Sequence, residues 1–500
     1  MVSSSKSIQP VLQTDLRTKS ITLPGILMQA LASIAPAAGL IFGVDTIAGL
    51  AGQGGTIWAF IIGALILMLV AVSVIQLTKR LSSAGGYFTW ASHILGPRPG
   101  FFTGWLFFVY APLVAGVNFA FMGGVMESSL QAAYNFTLPW WIPAVIGVVA
   151  VFFLQYFGIQ ISIKTLVWFG MAEILICVAL GLSGLFSAGA GGINALPFDF
   201  RDTSGFHGIY LAIVFSIMTF SGFESVATLA EESREPRRIL PRAVLLSLLI
   251  MLAFYLIVPF GIFVGWGTKD FSGFVANSSP VFAFAHRIWK GAWIILLLAF
   301  VNSEFAVALA ASNASTRVFY GMGRTGALPS VFAKSHPRHR TPTGAIITQA
   351  AITGALLLGG GLALGAVNTY IYFAIPITLA IIVIYCIGNI ASWRLYRTEF
   401  RQDFNPVTHL VCPVVACVVM VYVAYKTIIP LPTGVFHSSP FFFFGWLVIG
   451  IAVTFIAGRK GRDWMTLAGQ LVFEEEVANP RGTRALLESP EVDSSGELEP

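Results

Sequence analysis

SIAPAAG, residues 33–39, sits in the middle of an apolar run long enough to cross a membrane. The proline removes a backbone N–H and clashes with the preceding turn. In lipid each unsatisfied backbone group costs several kcal/mol, so such a break persists only where protein or ligand satisfies it. A second weak point is TFSGFES, residues 219–225, where Gly222 loosens another apolar run more gently. Taken singly, Pro36 reads as a kink in a packed helix and Gly222 as a small residue that permits close helix contact. As a pair they read differently, because interrupted helices in corresponding positions of two halves point to the central site of a transporter. Free N–H groups at the start of a half-helix suit an anionic group, and free carbonyls suit a cationic one. An α-amino acid is the simplest molecule that answers both demands.

The rest of the chain supports a membrane setting. Of 500 residues 56% are hydrophobic and only 10% charged, too much apolar surface for a water-soluble protein to hide. A spanning helix needs about 20 mostly apolar residues. Twelve stretches qualify: 24–50, 55–78, 99–129, 139–157, 162–187, 206–230, 241–266, 291–317, 343–365, 369–393, 407–427 and 441–458. The expected fold is therefore all-α, a polytopic membrane protein with 12 transmembrane helices. The second break falls in the sixth helix, where a five-helix repeat would begin again.

The 29 Lys and Arg residues, all but Arg201, Lys269, Arg287, Lys290 and Lys426, fall on one side if the N-terminus is cytoplasmic. That bias fits both the orientation and the helix count, since one missed helix would flip every later loop. The same scatter over short loops argues against nucleic acid as the partner of the +6 net charge. Residues 1–20 read as a cytoplasmic N-terminal segment, 21–458 as the transmembrane domain and 459–500 as a cytoplasmic tail, partly disordered. The first apolar run is too long for a cleaved signal and is expected to stay in the mature protein. The long connections 79–98 and 317–342 mix apolar with basic residues, so each is expected to lie as a helix along the inner membrane surface. Cys177, Cys386, Cys412 and Cys417 lie inside apolar runs at no metal-ligand spacing and read as packing residues.

Of the 23 acidic residues, Asp45, Glu127, Glu173, Glu224 and Glu304 lie within or at the end of predicted spans. Each costs on the order of 3 kcal/mol at the bilayer centre and needs a partner or a purpose. Asp45 and Glu127 lie toward the outer ends and suit a water-filled vestibule. Glu224 follows the second break directly, and Glu173 and Glu304 lie near the middles of helices 5 and 8. Desolvation favours the neutral form of an acid, the property that proton coupling requires; the plainer alternative is an acid that hydrogen-bonds a neighbouring backbone. No basic residue lies mid-span, which leaves a proton or a bound cation as counter-charge. Hydroxyls in SNAST, residues 312–316, suit either a sodium ion or bonds to their own helix.

Three further stretches carry a family resemblance: GFESVATLAEESREPRRILPRAV at 222–244, SSAGGYFTWASHILGPRPGFFTGW at 82–105 and NASTRVFYGMGRTGALPSVF at 313–332. They resemble the amino acid, polyamine and organocation (APC) permeases, bacterial-type amino acid permeases with the LeuT-type fold. The resemblance covers about residues 20–458. It implies a five-plus-five inverted repeat, helices 1–5 at about 24–187 and helices 6–10 at about 206–393, followed by two peripheral helices at 407–458. It implies that Ile34, Ala35, Pro36, Ala37, Ala38 and Gly39 supply backbone groups for a substrate carboxylate and ammonium. Met218, Phe220, Ser221, Gly222 and Phe223 would complete the ammonium site and the gate. Glu224 falls on an acidic position used for proton coupling, and Glu173 where a number of members have lysine in place of a sodium ion. Pro36-Ala37-Ala38 replaces the usual Gly-Ser-Gly, and Met218 replaces an aromatic gate residue.

The expected function is therefore a secondary transporter of amino acids or related small amines, working by alternating access in the plasma (inner) membrane with both termini cytoplasmic. Symport with a proton, or with a sodium ion, is the leading form; an amino acid or polyamine exchanger is the alternative. The partners are the small-molecule substrate, the coupling ion and the lipid bilayer, and no cofactor or metal is expected. The seven histidines lie in loops or at helix ends with no HExxH pattern, which speaks against an enzyme. A channel would show a ring of charges or a carbonyl filter.

Overall fold

A computed structural model describes Leu16 and residues 20–460 except 278 and 430. The expectations for the far N-terminal segment and the tail from 461 onward lie outside the described residues. Among the described residues the chain is helical throughout, with one isolated parallel bridge between Ile21 and Ser233 in place of any sheet.

In chain order the helices are α1 (Leu23–Ile34), α2 (Pro36–Ala38), α3 (Val44–Arg80), α4 (Tyr87–Ile94), α5 (Pro97–Tyr134), α6 (Trp141–Phe157), α7 (Ile159–Phe186) and α8 (Gly205–Phe220). There follow α9 (Pro236–Trp266), α10 (Phe271–Ala276), α11 (Pro280–Trp289), α12 (Ile294–Arg324), α13 (Thr343–Leu364), α14 (Ala366–Thr398), α15 (Cys412–Ile428) and α16 (Ser439–Lys460). Among the described residues, 10 helical runs are long and apolar enough to span a bilayer. The first, Leu23–Arg80, is 58 residues long. At 1.5 Å per residue that far exceeds a hydrocarbon core of about 30 Å. It is no single rod, for the backbone leaves helical geometry at Ala35 and again at Gly52.

Local chemistry explains the ends. Proline opens α5, α9 and α11 at the positions where a missing N–H is harmless. Gly52, at φ 79° and ψ 176°, turns the chain where the carbonyl of Asp202 receives the Gly54 N–H at 3.2 Å. Gly158, at φ 126°, is the single residue between α6 and α7, and Gly365, at φ 83°, the single residue between α13 and α14. Only glycine adopts these conformations cheaply.

Most of the core is one continuous apolar cluster running through the bundle, with α3 packed on α8 and α9, α12 on α5 and α7, and α1 held among α7, α9 and α12. The discontinuous first helix thus lies inside the bundle and not on its lipid face. The connection 79–98 differs from expectation. Its helix, α4, is short, and Tyr87, Phe88 and Trp90 are buried against α5 and α14 instead of floating at a membrane surface. In 317–342 the first residues extend α12 to Arg324 and the rest holds only a 3-10 turn at Ser330–Ala333. Aromatic residues long enough to reach the core were taken by the core.

Candidate functional site

The first break is closed by the protein itself. α1 ends at Ile34, Ala35 turns left-handed at φ 55° and ψ 72°, and Pro36 restarts the helix. A restarting helix exposes its first N–H groups. Pro36 has none; the Ala37 N–H donates to Glu173 Oε1 at 2.8 Å, the Ala38 N–H to Ser303 Oγ at 3.2 Å and the Gly39 N–H to the Ala35 carbonyl at 2.9 Å. Every donor of that first turn is accounted for. Glu173, 1% exposed on α7, receives in addition Asn302 Nδ2 at 2.8 Å on its other oxygen and the Ser303 hydroxyl. A carboxylate at the start of a helix is favourably placed in the helix dipole.

The second break lies against the first. α8 stops at Phe220, Ser221 is extended, Gly222 takes φ 113°, and residues Phe223–Glu232 continue as a 3-10 helix. Ten residues of 3-10 geometry is long for that form, a sign of strain or of a hinge. The Gly222 Cα faces the Ser33 carbonyl so closely that a side chain would collide with it. Ser33 and Ser225 share a hydroxyl hydrogen bond of 2.7 Å. The two stretches that stand out in the sequence are therefore joined in space.

The predicted side chains divide into groups. Glu224 turns away from α1: it accepts from the Gly222 N–H at 3.0 Å, from the Tyr385 hydroxyl at 2.6 Å and from the Tyr110 hydroxyl. Met218 and Ser221 line a small cavity of about 70 Å³ with Tyr110, Thr378 and Tyr385 on the same side. Phe223 stacks on Tyr385, whereas Phe220 packs edge-on against Tyr255 and Phe60 toward α9 and α3. Ile34 and Ala37 are buried, and Ala35, Ala38 and Gly39 half-buried.

Glu304 stands apart. It is 1% exposed on α12, next to Ser303, and neither of its carboxylate oxygens has a hydrogen-bond partner. It lies within electrostatic reach of Glu173 and of Tyr370. Tyr370 stacks on Phe121 at 4.4 Å, and Phe121 contacts Phe42 and Phe300, the latter one turn before Glu304. Asp45 also keeps one oxygen unpartnered.

Of the three hydroxyls of SNAST, those of Ser312 and Thr316 are hydrogen-bonded and that of Ser315 is buried without a partner. Asn313 joins Gln29, Gln155 and Ser162, tying α12 to α1, α6 and α7; Ser312 receives Gln349 and Thr316 bonds its own helix. Directly after this stretch, toward the C-terminal end of α12, Arg317 makes a buried two-point ion pair with Glu232 at 3.0 and 3.3 Å, and Arg324 pairs with Glu231 at 3.1 Å. The Glu232 carbonyl receives the N–H groups of Ser20 and Ile21, so the residues just ahead of α1 are pinned to the same clasp.

Sequence reasoning missed Asn302, Ser303, Tyr110, Tyr385 and Tyr255. For the first two a signal existed: Asn302-Ser303-Glu304 is a run of three polar residues inside an apolar helix. For the tyrosines there was none, since single tyrosines are ordinary in membrane helices.

Residues 25–465 match the amino acid permease family. The chain is 26% identical over 429 residues to the branched-chain amino acid permease BcaP of Bacillus subtilis (strain 168), covering 82% of this chain and 87% of the relative. It is 28% identical over 355 residues to the low-affinity putrescine importer PlaP of Escherichia coli (strain K12), covering 67% and 73%. A BcaP from Lactococcus lactis subsp. cremoris is 22% identical over 449 residues, covering 81% and 87%.

Proposed function

Because the chain belongs to the amino acid permease family, we propose that it carries amino acids or related small amines across the membrane by alternating access, in symport with a proton. It is an integral multi-pass membrane protein and a transporter, not an enzyme. The observation that carries the mechanistic reading is the contact of the two helix breaks, Gly222 against the Ser33 carbonyl and Ser225 on Ser33. Two interrupted helices that meet inside a bundle form the kind of centre about which two halves can rock.

Other features support the same reading. Dividing Leu23–Arg80 at Gly52 and counting Trp141–Phe157 gives twelve passes. Gly158 and Gly365 then fall at corresponding junctions, fourth to fifth and ninth to tenth, a correspondence that supports an inverted five-plus-five repeat with two peripheral helices. Ile34 to Gly39 and Met218 to Phe223 form the substrate centre. Glu224, held by two tyrosine hydroxyls and a backbone N–H at the second break, is the proton carrier, with Glu173 and Glu304 as the remaining acids of the pathway. In this reading both termini are cytoplasmic, which the Lys and Arg distribution supports, and the protein sits in the plasma (inner) membrane.

The test is uptake of labelled amino acids and amines by proteoliposomes, with and without an inward proton gradient. Symport predicts uptake that rises with the gradient and acidifies the interior. Uptake that ignores the gradient but is accelerated by substrate preloaded inside would replace symport with exchange, and sodium dependence would replace the proton.

A further inference from the structure

We infer that the substrate is an organic amine that carries no carboxylate, because Glu173 already stands where a substrate carboxylate would bind and Glu304 offers the unpaired acid that an ammonium needs. The inference rests on the transport reading and narrows it.

The donors at the first break are already taken. Ala37 gives its N–H to Glu173, Ala38 to Ser303 and Gly39 to Ala35, and Pro36 has none to give. An α-amino acid bound there must displace Glu173. That side chain is anchored by Asn302 Nδ2 and the Ser303 hydroxyl as well as by Ala37. A displaced Glu173 would also leave two carboxyl groups competing for one pocket, a like-charge arrangement that opposes binding.

The sign of the surroundings points the same way. Asp45, Glu173, Glu224 and Glu304 are all interior acids. Among the described residues every ion pair lies elsewhere, at Asp403, Glu399, Glu235, Glu232 and Glu231. An interior acidic group without a basic partner is stable only if neutral or matched by a cation from outside.

Glu304 is the acid left to meet that cation. Glu173 and Glu224 are each satisfied by hydrogen bonds, but both Glu304 oxygens are bare although the residue is almost wholly buried. Buried polar atoms without partners are rare and call for an explanation. Tyr370 lies within electrostatic reach of Glu304, and the Phe42, Phe121 and Phe300 rings continue from it. Carboxylate and aromatic faces together recognise an ammonium, the first by charge and the second by the ring quadrupole.

The test compares matched pairs that differ only by the carboxylate: putrescine with ornithine, cadaverine with lysine, agmatine with arginine and tyramine with tyrosine. Each is offered in labelled form to proteoliposomes of the full chain, and uptake by protein-free vesicles is subtracted. The expected result is at least one amine taken up about tenfold or more faster than its amino acid partner, since selectivity is a difference of binding free energies. Amino acids taken up as well as or better than their amines would overturn the inference and leave the permease reading standing. No uptake of any pair member would overturn the inference, and the permease reading would then stand or fall on the wider panel of amino acids and amines. In Glu304→Gln, amine uptake should fall about tenfold or more, as for loss of one partner of a buried charge pair. Unchanged uptake in that variant would remove Glu304 from the site. The wild-type pair comparison needs no variant to fold.

Discussion

Ala37 on the restarted first helix and Glu173 on α7, 136 positions apart in sequence, are joined by a backbone-to-carboxylate hydrogen bond of 2.8 Å. The pairing makes Glu173 the cap of a helix that has no cap of its own. It also converts an open backbone site, as the sequence suggests, into one that is closed at rest. Anything that binds by its carboxylate must first compete with an acid already in place.

Removing that acid should leave a vacancy of known shape. Glu173→Ala leaves the Ala37 N–H without its acceptor and the Asn302 amide with the Phe169 carbonyl alone, a loss of about 1–3 kcal/mol for a buried donor. The expected outcome is a lower unfolding temperature in detergent, and partial recovery when acetate or formate is added. The wild type should show no such response to the anion. Equal effects of acetate on both proteins would mean that no carboxylate-shaped site was opened.

How much of this was legible beforehand varies with the distance over which each feature acts. The spans were legible because hydropathy is local, and each expected span overlaps a helix in the structure. The break at Pro36 was legible because proline acts within one turn. Its closure was not, because Glu173 and Asn302 come from helices that only packing brings to α1. The buried connection at Tyr87, Phe88 and Trp90 was misread for the same reason: apolar residues beside basic ones suit a membrane surface or a core equally well, and composition does not choose.

Gly39 offers a test of packing at the restarted helix. A methyl group on Gly39 would run into the Tyr255 hydroxyl, with Thr219 close behind. That hydroxyl is buried and has no hydrogen-bond partner. Gly39→Ala should therefore impair transport and stability by about 1–3 kcal/mol, the usual range for overpacking. Tyr255→Phe alone should cost little, and the double variant should recover much of the loss. A double variant no better than Gly39→Ala would show that the glycine serves something other than clearance from this tyrosine.

The coupling assignment concerns Glu224. With Gln at that position the shape and most hydrogen bonds can remain, but the side chain no longer binds and releases a proton. Uptake measured between pH 5 and 8 should lose its dependence on the proton gradient in Glu224→Gln, while exchange of internal for external substrate persists in part. A gradient dependence equal to that of the wild type would take the proton away from this residue.

The clasp at the end of α12 makes a different kind of prediction. Arg317 and Glu232 are 3% and 1% exposed and bind at two points, and the Glu232 carbonyl also holds Ser20 and Ile21. Breaking one side of a buried pair costs about 3–5 kcal/mol, whereas replacing both partners by uncharged groups is often close to neutral. Arg317→Met should therefore lower thermal stability severely, because Glu232 stays buried without its counter-charge. Arg317→Met combined with Glu232→Gln should recover most of it. Transport separates this from a purely structural role. If the clasp holds one end of the pathway shut, the double variant should fold yet let a water-soluble thiol reagent reach a cysteine placed at Ser33 faster than in the intact pair. Equal labelling rates at equal stability would make the ion pair a strut and not a gate.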